Sequence, residues 1–171
     1  SGIRYRARVL KIAQTLIKSG RSVAFFTKMP AGTGLSDVRV DHIAGCPILL
    51  FPDAHDFLSA ARTKVPAWNW PIMVQYLQTT MWHYARQIRP RYLHTFNTAA
   101  IGIGRSFRDR LAGENHAVTW FHDFPEYTPG HQFVDDRQRD SKPDGEWRDI
   151  VVRHEAIYAQ HTNASFTVSD E

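Results

Sequence analysis

Ala117-Val118-Thr119-Trp120-Phe121-His122-Asp123-Phe124-Pro125-Glu126-Tyr127 reads as a buried parallel strand that ends at a polar site. The run opens apolar and rich in β-branched and aromatic residues, then delivers a histidine and two carboxylates within five positions around Pro125. In open α/β sheets, ligands bind in the crevice outside the carboxyl ends of the strands, so His122 stands where chemistry is expected. Tyr92-Leu93-His94-Thr95-Phe96-Asn97 repeats the pattern one βα unit upstream.

Working outward, Val9, Ile12, Ala13, Leu16 and Ile17 recur at helical spacing from Arg6 to Ser19, with Gly20 as the stop. Val23–Thr27, Val38–Ile43 and Ile48–Phe51 read as strands, and Asp53–Lys64 as a short helix with Asp53 as its N-cap. Pro71 suits the first turn of a long helix to Ile88, whose apolar side carries Met73, Leu77, Met81, Tyr84 and Ile88. Its aromatic residues read as core packing rather than a stacking platform. Arg89-Pro90 ends it. Ala99–Leu111 reads as a helix in which Gly102 and Gly104 allow close packing on the sheet; each would otherwise cost about 1 kcal/mol against alanine. Thr128–Gly145 is polar and charge-mixed and reads as a loop, Trp147–Gln160 as a helix and Ala164–Val168 as a last strand. Strands alternating with helices of this length predict βαβ units and a mainly parallel sheet.

A chain of 171 residues can bury a real core as one domain. Its 43% hydrophobic and 12% aromatic content argues against disorder. Cys46 is the single cysteine, so no internal disulfide or zinc ribbon can form, which fits a reducing, cytoplasmic setting. No stretch approaches the roughly 18 apolar residues of a membrane span. A start at Ser1-Gly2, with no Met and no leading strand, reads as part of a longer chain. The net charge of +4 favours anionic partners, but the charge is scattered apart from Arg4, Arg6, Arg8 and Lys11, and no nucleic-acid module is visible. Most of the arginines read as solvated surface; a third reading makes Arg4, Arg6, Arg8, Lys11 and Lys18 of the basic first helix a docking face for an anionic membrane surface.

His122 is the candidate catalytic group, since imidazole titrates near neutrality and both donates and accepts protons; the competing reading is a histidine that only bonds a neighbouring loop. Asp123 and Glu126 serve either to orient His122 and hold substrate hydroxyls or to cap a loop or helix start. Asn97 and His94 follow the adjacent strand and share the crevice, unless His94 is partly buried beside the sheet. Nine histidines invite a metal site, but His154 and His161 stand seven apart and no HExxH unit is present, so neither metal nor cofactor is expected. Asp135-Asp136 reads as a solvated turn. Gly32-Thr33-Gly34 lacks the flanking pattern of a phosphate loop, and Ser169 lacks a nucleophile elbow.

The order of these segments resembles the amino-terminal domain of a family-4 (group 1) GT-B glycosyltransferase over nearly the whole chain. Gly2-Ile3, the helix through Leu16, and Gly20-Arg21-Ser22-Val23 are similar to the family's glycine loop, first helix and second strand. Arg89–Asn97, Val118–Asp123 and Thr167-Val168-Ser169 are similar to three of its later strands, although Arg91 replaces an aspartate and Phe96 a histidine of the usual pattern. The resemblance implies a Rossmann-like three-layer sandwich with a mainly parallel sheet, residues 1–171 forming the acceptor-side, N-terminal half of a GT-B fold. It implies retaining, metal-independent transfer of a sugar from a nucleotide-sugar donor to the hydroxyl of an acceptor: a glycan, a lipid-linked compound or a small molecule. His122 would lie by the reacting sugar and Gly2 by the donor phosphates or the acceptor, where backbone amides favour anionic oxygen. His94, Asn97, Asp123 and Glu126 would line the substrate side. The donor site would belong to a carboxyl-terminal domain of the same protein, so this chain alone is expected to be inactive. The alternative is a non-catalytic GT-B-like interaction or binding domain.

Overall fold

The computed structural model describes residues 7–29, 33, 37–53, 70–96, 98–124, 153 and 156–167. They belong to two compact units, Ser1–Met81 and Trp82–Glu171, divided inside one long helix.

In the first unit, the helical spacing near the start produces α1 (Ala7–Lys18), with Val9 and Ala13 buried one turn apart. Gly20 ends it at φ 78, with Arg21 N–H donating to Leu16 O (3.0 Å) and Gly20 N–H to Ile17 O (2.9 Å). That paired closure needs a left-handed residue, and glycine adopts it without a Cβ penalty. The strands β1 (Phe25–Lys28), β2 (Arg39–Ile43) and β3 (Cys46–Phe51) form a sheet in the order β1-β3-β2. β1 runs parallel to β3, with Phe25 opposite Ile48. β2 runs antiparallel to β3 through a two-residue turn at Ala44 and Gly45, φ 51 and 79. Positive φ at both turn residues matches the twist of the flanking strands, and this pair is the one antiparallel exception among the described pairings.

The helix α2 (Trp70–Ile88) has Pro71 in its first turn, as expected. Its buried line runs Val74, Leu77, Met81, Ala85. The apolar stripe is therefore rotated from the expected one: Tyr84 is half-buried and Ile88, in the last turn, is exposed. Arg89, at φ 47, turns the chain out of the helix before Pro90.

In the second unit, β4 (Tyr92–Phe96), β5 (Thr119–Phe124) and β6 (Ala164–Thr167) form an all-parallel sheet in the order β4-β5-β6. The helix α3 (Thr98–Gly113) connects β4 to β5 and packs on both. Ile101, Ile103, Phe107 and Leu111 from α3 and Trp120 from β5 are buried. α3 closes as α1 does: Asn115 stands at φ 57, with His116 N–H donating to Leu111 O and Asn115 N–H to Ala112 O. Residues 156–159 are helical and lead to β6. The expected helix over 54–64, the loop over 128–145 and most of the helix over 147–160 lie outside the described residues.

The chain is thus a mixed α/β protein whose sheets contain parallel strands, compatible with a Rossmann-like fold. Among the described residues, no helix is long and apolar enough to cross a membrane.

Candidate functional site

The parallel register pairs Thr95 with His122 and Phe96 with Asp123 across β4 and β5. Successive residues of a strand point to opposite faces, so the expected cluster divides between two faces of one sheet. Thr95, Trp120 and His122 share the face covered by α3, whereas His94, Phe121 and Asp123 share the other.

On the α3 face, Trp120 and His122 are both fully buried, at 0% exposure. Trp120 Nε1–H donates to Thr95 Oγ1 at 2.9 Å, and Thr95 Oγ1 lies 2.7 Å from His122 Nδ1. The same hydroxyl lies 3.4 Å from the carbonyl oxygen of Phe121. Gly104 of α3 makes this arrangement possible. A Cβ there would fall 2.5 Å from Trp120 Nε1, 2.7 Å from Trp120 Cε2 and 2.7 Å from Thr95 Cγ2. The close helix–sheet approach expected of a glycine in this helix is present at Gly104. One turn on, the Arg108 guanidinium sits 5.6 Å from the centre of the Trp120 ring and donates to the carbonyl oxygen of His161. Asn163 closes the far side: its side-chain oxygen accepts from Trp120 N–H at 2.7 Å, and its own N–H donates to Trp120 O at 2.8 Å.

On the opposite face, the half-buried His94 ring stacks on Phe96 at 4.3 Å between centroids and meets Phe121 edge-on at 6.4 Å. Tyr92 stacks on Phe121 at 6.4 Å, with the Arg91 guanidinium 5.5 Å from its ring centre. Asp123, paired with Phe96 on this face, is fully buried. The alternation along β4 and β5 puts His94 and Asp123 on the face opposite His122, and it brings the Thr95 hydroxyl to the His122 imidazole. Gly2, Asn97 and Glu126 lie outside the described residues.

Thr95 and Trp120 carry no motif that marks them in the sequence. The available signal was parity: Trp120 and His122 are two apart on one strand, and a threonine is the next-to-last residue of the neighbouring one.

A second polar pair lies in the first unit. Lys28, the last residue of β1, bonds Asp53 Oδ2 at 2.9 Å, two residues beyond β3. The Asp53 side chain is fully buried while that of Lys28 is 47% exposed. Burial and the Asp53 charge push the Tyr76 hydroxyl above the usual tyrosine range. Asp53 is thus the buried partner of a strand-end lysine, and the helix it is expected to cap lies outside the described residues. Cys46 is buried, and burial pushes its thiol upward.

Among the described residues, no three histidine, cysteine, aspartate or glutamate side chains are grouped to hold a metal ion. No protein-family model, curated protein or solved structure matches the chain.

Proposed function

We propose that the chain is the Rossmann-like, acceptor-side half of a GT-B glycosyltransferase, acting in the cytoplasm with a carboxyl-terminal domain that binds the nucleotide sugar. One observation carries this reading. The three later segments that resemble the family, around residues 92–96, 119–124 and 164–167, contribute β4, β5 and β6 to one parallel sheet, and His122 stands near the carboxyl end of its central strand. Carboxyl ends of parallel strands are where α/β enzymes bind their ligands. Thr95 holds the imidazole at Nδ1, and an imidazole nitrogen is a group suited to a sugar or phosphate oxygen. Transfer would be retaining and independent of a divalent metal, and a basic α1 would favour an acceptor at an anionic membrane surface.

The complete burial of His122 and its bond to Thr95 favour a second reading, a GT-B-like binding domain in which this network serves only the interior. Transfer from a panel of nucleotide sugars, assayed in the protein encoded by the full reading frame, separates the two. The expected result is a second Rossmann-like domain downstream and transfer that falls at least about 100-fold in His122→Asn. A reading frame without a donor domain, or a folded His122→Asn variant with unchanged transfer, would favour the binding domain.

A further inference from the structure

The Thr95 hydroxyl has one proton and two lone pairs, and three groups compete for them. The indole of Trp120 is a donor only, so its 2.9 Å bond must end on a Thr95 lone pair. The Thr95 proton then has two destinations: His122 Nδ1 at 2.7 Å or Phe121 O at 3.4 Å. The first is an ordinary length for a hydroxyl donor, and the second lies at the outer limit of a hydrogen bond. If His122 Nδ1 carried a proton, Thr95 would accept twice and its own proton would be left with the long contact. The better-satisfied arrangement is the chain Trp120 Nε1–H to Thr95 O–H to His122 Nδ1, whose members polarise one another in the same direction. All three side chains lie on the face that α3 covers, where water does not compete for Trp120 or His122.

We infer that Thr95 is the positioning residue of His122, holding its imidazole with Nδ1 as acceptor and the proton on Nε2. In that tautomer Nε2 carries an N–H rather than a basic lone pair. A ligand oxygen with lone pairs, on a sugar hydroxyl or a phosphate, suits that nitrogen; a hydroxyl that must lose its proton does not. This deepens the reading of His122 as the working group of the site and depends on it only for the effect on transfer. Partners that orient an imidazole from behind are typically worth about 10–100-fold in activity at metal sites, and a similar loss is expected here.

The test is long-range proton–nitrogen correlation of the 15N-labelled 171-residue chain, with the His122 signals identified by their absence from His122→Gln. The expected wild-type spectrum has an unprotonated Nδ1 and a protonated Nε2. Thr95→Ser keeps that pattern because it keeps the hydroxyl. Thr95→Val, close in shape but without the hydroxyl, shifts His122 toward the other tautomer or a mixture. A proton on Nδ1 in the wild-type chain overturns the inference even if Thr95→Val fails to fold. So does a folded Thr95→Val whose His122 spectrum is unchanged. In the transferring protein, Thr95→Val is expected to lower kcat with little change in KM, and Thr95→Ser to restore it. A tautomer that changes while transfer does not would remove His122 from the reaction yet leave Thr95 as its positioning residue.

Discussion

Replacing Gly104 with alanine pits a local gain against a tertiary loss. In an open helix, the exchange stabilises by about 1 kcal/mol, because glycine is the poorer helix former. Here the new methyl carbon would stand 2.5–2.7 Å from three atoms of Trp120 and Thr95. Carbon atoms pack best at about 3.5–4.0 Å, so about 1 Å of relief is needed. Trp120 has little room to give it: it is fully buried, bonded through Nε1 to Thr95 and through its backbone to Asn163, with Arg108 over its ring. Forcing an extra carbon into a packed interior costs about 1–3 kcal/mol. Loss of the Trp120–Thr95 bond adds about 1 kcal/mol. The net expectation is a destabilisation of about 1–3 kcal/mol. With a urea dependence of about 2 kcal/mol per molar, a loss of 2 kcal/mol lowers the unfolding midpoint by about 1 M. Gly113, near the end of the same helix, has nothing within 4 Å of its Cβ position, so Gly113→Ala should be neutral or stabilising. A Gly104→Ala midpoint at or above that of the wild type would refute the close-approach argument.

Two further outcomes follow from the ion pairs. Lys28→Met should cost more than Asp53→Asn, because the Asp53 carboxylate stays buried when the lysine is removed, whereas the half-exposed lysine can return to water; equal urea midpoints for the two variants would contradict this. Asp109 loses some solvation on burial, which raises its pKa, but hydrogen bonds from Arg105 and Arg108 and their charges outweigh this and hold its carboxyl below the usual range. A depressed folded-state pKa gives stability that is present above the unfolded value of about 4 and lost as pH falls through the folded one. Asp109→Asn should therefore lower Tm slightly at neutral pH, given the exposure of the pair, and the difference should vanish in acid. Thermal melts across the acid range measure this, and a difference that persists below both pKa values would refute it.

The strands and helices were largely legible because each carries its own period and punctuation. Gly20 stops α1, Pro71 opens α2, and β-branched and aromatic runs mark β1, β4, β5 and β6. The β2–β3 hairpin was not, since Ala44 is an unusual residue for a left-handed turn position and its neighbour Gly45 alone does not fix a turn type. At the site, His122 and its strand-end position were readable, but its company was not. Sequence proximity suggested Asp123, and strand parity sends that carboxylate to the other face. Thr95 reads as an ordinary strand former until pairing across 27 residues brings its hydroxyl to the imidazole. The pairing of Asp53 with Lys28 is likewise hidden, because 25 residues separate the two. Local chemistry can be read from local sequence, whereas a partnership fixed by sheet register cannot.

Asn163 gives the second sheet a safeguard against misalignment. β6 is only four residues long and is the last strand in its described sheet, so its ladder alone discriminates weakly between neighbouring alignments. Asn163 grips both the N–H and the carbonyl of Trp120, one bond from its side chain and one from its backbone. A slip by one residue breaks both bonds together and turns Ser165, which pairs with His122, to the opposite face. One residue outside the strand thus makes the correct alignment distinguishable from its nearest errors, and the surroundings of His122 inherit that accuracy.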